Sequence, residues 1–543
     1  MARASSGASA GFVLITLSSG QFLMMLDSSV MNVAIATVAE DLGTTVTGIQ
    51  TAITLYMLVM ATMMITGGKI GTMIGRRRAF SLGCVIYGAG SLTTALAPNV
   101  AVLYFGWSLL EGLGAALILP AIVALVATNF AADARPRAYG LIMAAAAIAV
   151  ATGPLIGGFA TTYFSWRYVF AGEVVLVLAI LLLSRRIADA PAEGRVRFDV
   201  VGAVLWALGL GSGVFAVLQS GAWGWVSPSQ GAPTILGISL VAWLLVASAV
   251  ILRLFVAWQR RLIGLGREPL IRLSMLRNGQ LQGGLTMFAF QYLVQAGLFF
   301  VVPLFLSVSL GLSAFDTGVR MLPLSLAVVL AAAAIPKLAP NASSRRVVQL
   351  GLASLCAGLV ALLAALEVGA GAEIVTVPFI LAGLGIGALA SQLGAVTVSS
   401  MLDEMSGEVG GLQNTVTNLG AALGTALAGS VLIAVLTSSF ITGVQQNPQV
   451  PASVASQAEV QLSGGAPFVS DAQLTTALEE AAVPAATADA IVDENETSRI
   501  DALRASVLLL ALFALVALFF TRLIPDRPAS SLAPPEAGTT PAG

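Results

Sequence analysis

The chain has 543 residues, of which 57% are hydrophobic and only 10% are Asp, Glu, Lys or Arg, whereas a soluble domain carries about a quarter charged residues. That balance excludes an ordinary soluble fold, and a net charge of −1 gives no long-range pull toward nucleic acid. With no histidine, the usual general base and metal ligand are missing; nothing assembles a catalytic set or a metal site, and an enzyme is not expected.

About 20 apolar residues cross a bilayer as a helix. Runs of that kind recur at about 12–36, 48–66, 79–97, 101–128, 138–162, 168–184 and 200–219. They continue at about 233–256, 282–309, 317–335, 347–366, 374–396, 412–437 and 502–524, giving 14 expected spans. The first run carries Asp27 in its middle and is too long for a cleaved signal peptide, so it reads as a retained helix. Cys84 and Cys356 lie inside apolar runs and read as buried thiols rather than a bridge. Asp199 precedes the seventh run as an N-cap. Arg260, Arg261, Arg267, Arg272 and Arg277 form a basic loop suited to anionic lipid.

An even number of spans puts both termini on one side. Of the 26 basic residues, all but Arg167, Arg320, Arg499 and Arg504 then share the side of the N terminus. The positive-inside rule makes that side the cytoplasm. The 438–500 loop, outside, reads as a partly helical, solvated cap, and the tail at 528–543 as disordered.

An internal echo suggests two repeated halves. Lys69 is followed eight residues later by Arg77 and then Arg78; Lys337 is followed at the same offset by Arg345 and Arg346. The echo predicts an all-α membrane protein of two six-helix bundles, 1–187 and 279–527, with two inserted helices and the basic loop at 188–278.

Several stretches carry a resemblance. Gly67-Gly68-Lys69-Ile70-Gly71-Thr72-Met73-Ile74-Gly75-Arg76-Arg77-Arg78 resembles the G-x-L-a-D-r-x-G-R-r loop of the major facilitator superfamily. Gly153-Pro154-Leu155-Ile156-Gly157-Gly158 is similar to its antiporter motif G-P-x-x-G-G, and Ser165-Trp166-Arg167-Tyr168-Val169-Phe170 follows in the expected place. Leu26-Asp27-Ser28-Ser29-Val30-Met31-Asn32 resembles the first span of the 14-helix drug:proton antiporters. Gly318 to Pro323 and Gly410 to Thr415 agree with later stretches of that family. The likeness runs from about residue 11 to 525. It implies the major facilitator fold, alternating access and export powered by the proton gradient, with no other cofactor. Gly68, Lys69, Thr72, Gly75, Arg76 and Arg77 would belong to the gating loop, and Arg167 and Arg320 would be outer anchors.

Two departures bear on mechanism. Thr72 stands where the loop normally has an acid. In the fourth span, Ser108-Leu109-Leu110-Glu111-Gly112-Leu113-Gly114-Ala115-Ala116 resembles R-x-x-Q-G-x-G-A-A, but Ser108 replaces the arginine associated with proton coupling and Glu111 the glutamine. Spans 1 and 4 run in opposite directions, and Asp27 and Glu111 fall at similar depth, slightly outward of the midplane. In the family these spans line the cavity. Two carboxylates there, with no arginine between them, would be desolvated and mutually repelling, which favours proton uptake. An intramembrane acid is a functional hypothesis by default, so Asp27 and Glu111 are the expected proton- or cation-coupling pair.

Met24, Met31 and Asn32 surround Asp27, and Tyr104, Trp107 and Ser108 share a face with Glu111. Methionine adapts to varied shapes and aromatic rings attract organic cations, so these residues are expected in the substrate cavity. Gln291 and Gln295 of span 9 and Asn414 of span 13 are expected to add polar groups. The leading expectation is a monomeric exporter, in a bacterial cytoplasmic membrane, of amphipathic, cationic small molecules by proton antiport. The alternatives are a lipid or dedicated natural-product exporter with altered coupling, and a non-transporting membrane sensor or scaffold.

Overall fold

The computed structural model describes residues 7–130, 135–189, 198–229, 231–401, 406–462, 466–481 and 483–528. Arg3, Arg195, Arg197 and the tail from 529 lie outside the described residues. The chain is almost wholly helical. It begins with α1 (Gly7–Asp41), α2 (Val46–Ile74) and α3 (Arg76–Ala95). The fourth span starts as α4 (Val100–Leu103), passes through a π-helical segment at Tyr104–Glu111, and ends as α5 (Gly112–Asn129). Then come α6 (Arg135–Tyr163), α7 (Arg167–Ser184), α8 (Val200–Trp223) and α9 (Leu240–Gly264). The second half holds α10 (Gly279–Leu304), α11 (Ala314–Leu338), α12 (Ser344–Ala365), α13 (Thr376–Val398), α14 (Ser406–Gln446), α15 (Ala452–Gln461), α16 (Asp471–Glu480) and α17 (Ala485–Phe520).

Among the described residues, 12 helices are long and apolar enough to cross a membrane. Helices α3 and α6 occupy the places of the expected third and fifth spans but are not in that set. Three arginines open α3 and shorten its apolar stretch. Of the 14 expected spans, 12 are matched by such helices among the described residues.

The helix ends follow local chemistry. Gly75 adopts φ 102°, a conformation open to glycine, and so separates α2 from α3 without a loop. The Asp199 carboxylate accepts from Gly202 N at 2.8 Å, the expected N-cap, and also from Trp258 Nε1 and Gln259 Nε2 of α9.

Side chains sort the helices into two groups. In the first, α1 packs on α6 and α7, and α3 on α5 and α7, with α2 against α5. In the second, α10 packs on α14 and α17, and α13 on α11 and α12. The groups meet where α2 runs along α14 and α6 along α11; α8 and α9 pair, with α8 on α14 and α2.

The far end of the second group departs from the sequence reading. Helices α14 and α17 were expected at about 412–437 and 502–524, yet α14 has 41 residues and α17 36, about 61 and 54 Å of helix. Their excess carries Phe440, Val444 and Ile491, which bury one another with Val450 and Ala455 in a small separate core. Hydropathy sees only the apolar stretch of such helices. Arg499, expected in a solvated outer position, is instead fully buried, donating to Asp471 Oδ2 at 2.6 Å and Val469 O at 2.7 Å. Cys84 is buried and Cys356 half-buried, and both are free thiols.

Candidate functional site

Asp27 on α1 and Glu111 at the end of the π-helical segment are brought together, and both are fully buried. A third carboxylate joins them: Glu173 of α7, also buried. One oxygen of each lies within 4.8 Å of the others. The three acids come from different spans, and α3 closes the cluster.

Each acid is held by neutral donors. Trp107 Nε1 donates to Asp27 Oδ1 at 2.8 Å, and its ring stacks on Tyr56 of α2 with centroids 5.0 Å apart and planes 3° from parallel. The Thr94 hydroxyl donates to Glu111 Oε1 at 3.3 Å. The hydroxyls of Ser91 and Tyr87 donate to Glu173 Oε2 at 3.2 and 3.4 Å. The second oxygen of every acid, Asp27 Oδ2, Glu111 Oε2 and Glu173 Oε1, is buried without a hydrogen-bond partner, as is the Tyr56 hydroxyl. Among the described residues no lysine or arginine pairs with any of the three; the ion pairs join Lys69 to Glu268, Arg167 to Asp41, Arg272 to Glu408 and Arg499 to Asp471.

Close packing positions the set. A Cβ on Gly90 of α3 would lie 2.6 Å from Glu111 Cγ and 2.7 Å from Gly106 O, so only glycine lets α3 approach the π-helical segment this closely. Such segments are common where a helix must re-aim a side chain. The oxygens alone could bind a small cation, since ligands on one ion with bonds of about 2.3–2.6 Å are at most about 5 Å apart.

The expected cavity residues divide. Met24, Met31, Trp107, Ser108 and Gln291 are buried in packing, not on an open wall. Ser108, standing where an arginine was expected, donates to Ala52 O at 2.8 Å and ties the fourth span to α2. Tyr104 likewise donates to Gly48 O at 2.9 Å. Asn32, Gln295 and Asn414 are half-buried. Asp27 and Glu111 therefore sit inside the first bundle, closed to a bulky organic cation, and not along the cavity surface the sequence suggested. Helix-face periodicity places residues on one side but cannot say whether that side meets a void or a neighbouring helix.

The segment from Gly68 to Arg77 is held by polar contacts without the missing acid. Thr72 turns back to Lys69 O at 2.6 Å. Lys69 reaches Glu268 at 2.5 Å, beyond α9, and Arg272 of that same segment pairs with Glu408 of α14 at 3.3 Å. The Lys69 ammonium on Glu268 holds its carboxyl below the usual range, with Arg272 adding to the effect. Arg76 donates to Gly68 O at 3.2 Å. Arg77 donates through its backbone to Asp189 Oδ1 at 2.9 Å, and through its guanidinium to Arg185 O and Ile187 O at 3.4 and 3.3 Å.

At the other end, Arg167 pairs with Asp41 and donates to Ala97 O at 2.8 Å, tying the ends of three helices, whereas Arg320 is exposed. Gly153 and Gly157 set α6 against Ser29 and Val30 of α1, and Gly158 sets it against α11; Pro154 O is in turn approached by Gly318. The motif is a packing seam between the two helix groups.

Glu173 was the residue sequence reasoning missed. It is the lone acid of the sixth apolar run, and the rule that singled out Asp27 applies to it equally.

Residues 17–425 match the Major Facilitator Superfamily. The chain is 30% identical over 424 residues to the puromycin resistance protein pur8 of Streptomyces alboniger, covering 77% of this chain and 81% of that protein. It is 27% identical over 429 residues to the multidrug resistance protein Stp of Mycobacterium tuberculosis, covering 79% and 76%. A bacterial homologue of the human lysosomal transporter Spinster, in an inward-facing and unoccupied conformation, shares the fold with a TM-score of 0.62 over 96% of this chain and 98% of its own, at 15% identity.

Proposed function

The chain belongs to the major facilitator superfamily, a multi-pass membrane transporter of small molecules and not an enzyme, and from that premise we propose that it exports amphipathic, cationic compounds by proton antiport. The membrane is the cytoplasmic membrane of a bacterium, with both termini inside. The observation that carries the reading is the Asp27–Glu111 pair, buried at membrane depth and held only by neutral donors. Carboxylates in such a place are costly to keep charged and unpaired. A proton entering from outside neutralises one of them and relieves the repulsion between the two; its release inside restores the charge and drives the return of the carrier. Relatives named for puromycin and multidrug resistance favour an antibiotic-like cargo. The organic cation binds between the two bundles, where Asn32, Gln295 and Asn414 keep partial exposure, and communicates with the acids through α1.

The test is pH-driven efflux of ethidium from proteoliposomes. Asp27→Asn and Glu111→Gln are each expected to lower it at least tenfold, about 1.4 kcal/mol of barrier; full activity in both removes the mechanism. A dedicated natural-product or lipid exporter is the second reading, favoured by Ser108 lying where the coupling arginine of the drug antiporters is expected. It predicts transport of one compound or a labelled lipid, with a panel of unrelated cations left untouched.

A further inference from the structure

The antiport reading uses two acids, and the buried cluster holds three. Glu173 is as deeply buried as its neighbours, its Oε2 is fixed by Ser91 and Tyr87, and its Oε1 is unpartnered. The groups facing the cluster are Asp27 from α1, Tyr56 from α2, Tyr87 from α3, Glu111 from the fourth span and Glu173 from α7. None is cationic. Three ionised carboxylates within 4.8 Å, away from water, would set like charges against one another with nothing to offset them.

A second observation points to a bound species. The Tyr56 hydroxyl is completely buried beside Trp107 and Asp27, and it and three carboxylate oxygens, Asp27 Oδ2, Glu111 Oε2 and Glu173 Oε1, make no hydrogen bond. Unpartnered acceptors in such number are short of hydrogens. Nor does the fold require an acid on α7. Arg77 clamps the carbonyls of Arg185 and Ile187, as Arg345 clamps those of Arg522 and Ile524 in the other bundle. Counted back from the clamped carbonyls, the counterpart of Glu173 is Leu510, which is fully buried.

Resting on the antiport reading above, we propose that Glu173 completes a three-carboxylate proton store and that at least two protons cross per molecule exported. The protons are shared among Asp27, Glu111 and Glu173 as one coupled set. They load from the end of the bundle that carries Arg167 and leave toward the end that carries Lys69. With a singly charged cargo moving out, two protons moving in carry one net positive charge inward each cycle. Exchange is then driven by membrane potential as well as by pH, whereas a one-for-one exchange is electroneutral.

The experiment uses the purified full chain in liposomes, ethidium as a permanently monovalent probe, and a potential clamped with potassium and valinomycin. The expected wild-type result is ethidium flux driven by potential at equal pH, with a reversal potential giving two or more protons per ethidium. Glu173→Gln is expected to keep pH-driven flux while the ratio falls by one. Tyr87→Phe, which removes one donor to Glu173, is expected to shift the pH profile of flux with folding intact. A wild-type ratio of one, an unchanged ratio in Glu173→Gln, or flux driven by a sodium or calcium gradient in place of pH overturns the proposal. No pH-driven flux at all in the wild type overturns the antiport reading beneath it, a distinct outcome.

Discussion

The two helix bundles use one clamp and fill it with different chemistry. In each, an arginine eight residues after a lysine donates to carbonyls at the end of the last helix of its bundle: Arg77 to Arg185 and Ile187, Arg345 to Arg522 and Ile524. Thirteen residues beyond each arginine lies a glycine that admits the neighbouring span. A Cβ on Gly90 would sit 2.8 Å from Glu111 N, and one on Gly358 2.7 Å from Ala382 N. By the same counting, Tyr87, Ser91 and Thr94 match Leu355, Leu359 and Leu362, and Glu111 and Glu173 match Ala382 and Leu510. All five counterparts are buried. At these positions one bundle is hydrocarbon and the other carries acids and hydroxyls on an equivalent frame. An equivalent frame therefore packs without acids at these positions.

Making the first bundle copy the second gives the largest expected effect. The double variant Glu111→Ala with Glu173→Leu should fold and lose pH-driven transport. Removing crowded buried carboxyls is favourable, while Glu111→Ala leaves a small cavity and Thr94, Ser91 and Tyr87 lose an acceptor, so its unfolding midpoint in detergent should stay near that of the wild type. A variant that fails to fold would mean the acids are structural after all, and the comparison would break.

A smaller effect separates the paired glycines. Gly90→Ala and Gly358→Ala should each cost about 1–3 kcal/mol through overpacking, measured by thermal unfolding. Only Gly90→Ala pushes on a carboxylate, so only it should also shift the pH at which transport is half-maximal. Equal shifts in both would show that the pH response belongs to general packing.

The smallest effect lies in the loops, where the bundles differ again: Lys69 has Glu268, exposed by 56% at its side chain. Such a pair contributes roughly 0.2–1 kcal/mol, so Glu268→Gln should lower stability by no more than that at pH 7. Because Lys69 holds the Glu268 carboxyl below its usual range, the contribution is complete above about pH 4.3 and is lost as pH falls through the lowered value. Wild type and Glu268→Gln should therefore converge in unfolding midpoint once the pH has fallen below that lowered value; a gap that persists in acid would place the stabilisation elsewhere.

The sequence by itself determined the membrane, most of the spans and the superfamily, and it singled out Asp27 and Glu111 as acids inside apolar runs. These rest on composition, length and local motif, which act along the chain and need no knowledge of neighbours. A charged side chain in an apolar run is costly wherever the run is packed, so it announces itself. What the tertiary structure decided was company. Only packing put Glu173 of α7 beside acids from two other spans, turned Met24, Met31 and Trp107 from cavity wall into core, and buried Arg499 of the extended α17 against Val469 and Asp471. Distances between side chains far apart in the chain depend on which helix faces which. That choice is made by glycines such as Gly90 and by the sum of many weak contacts, and no single stretch of sequence contains it.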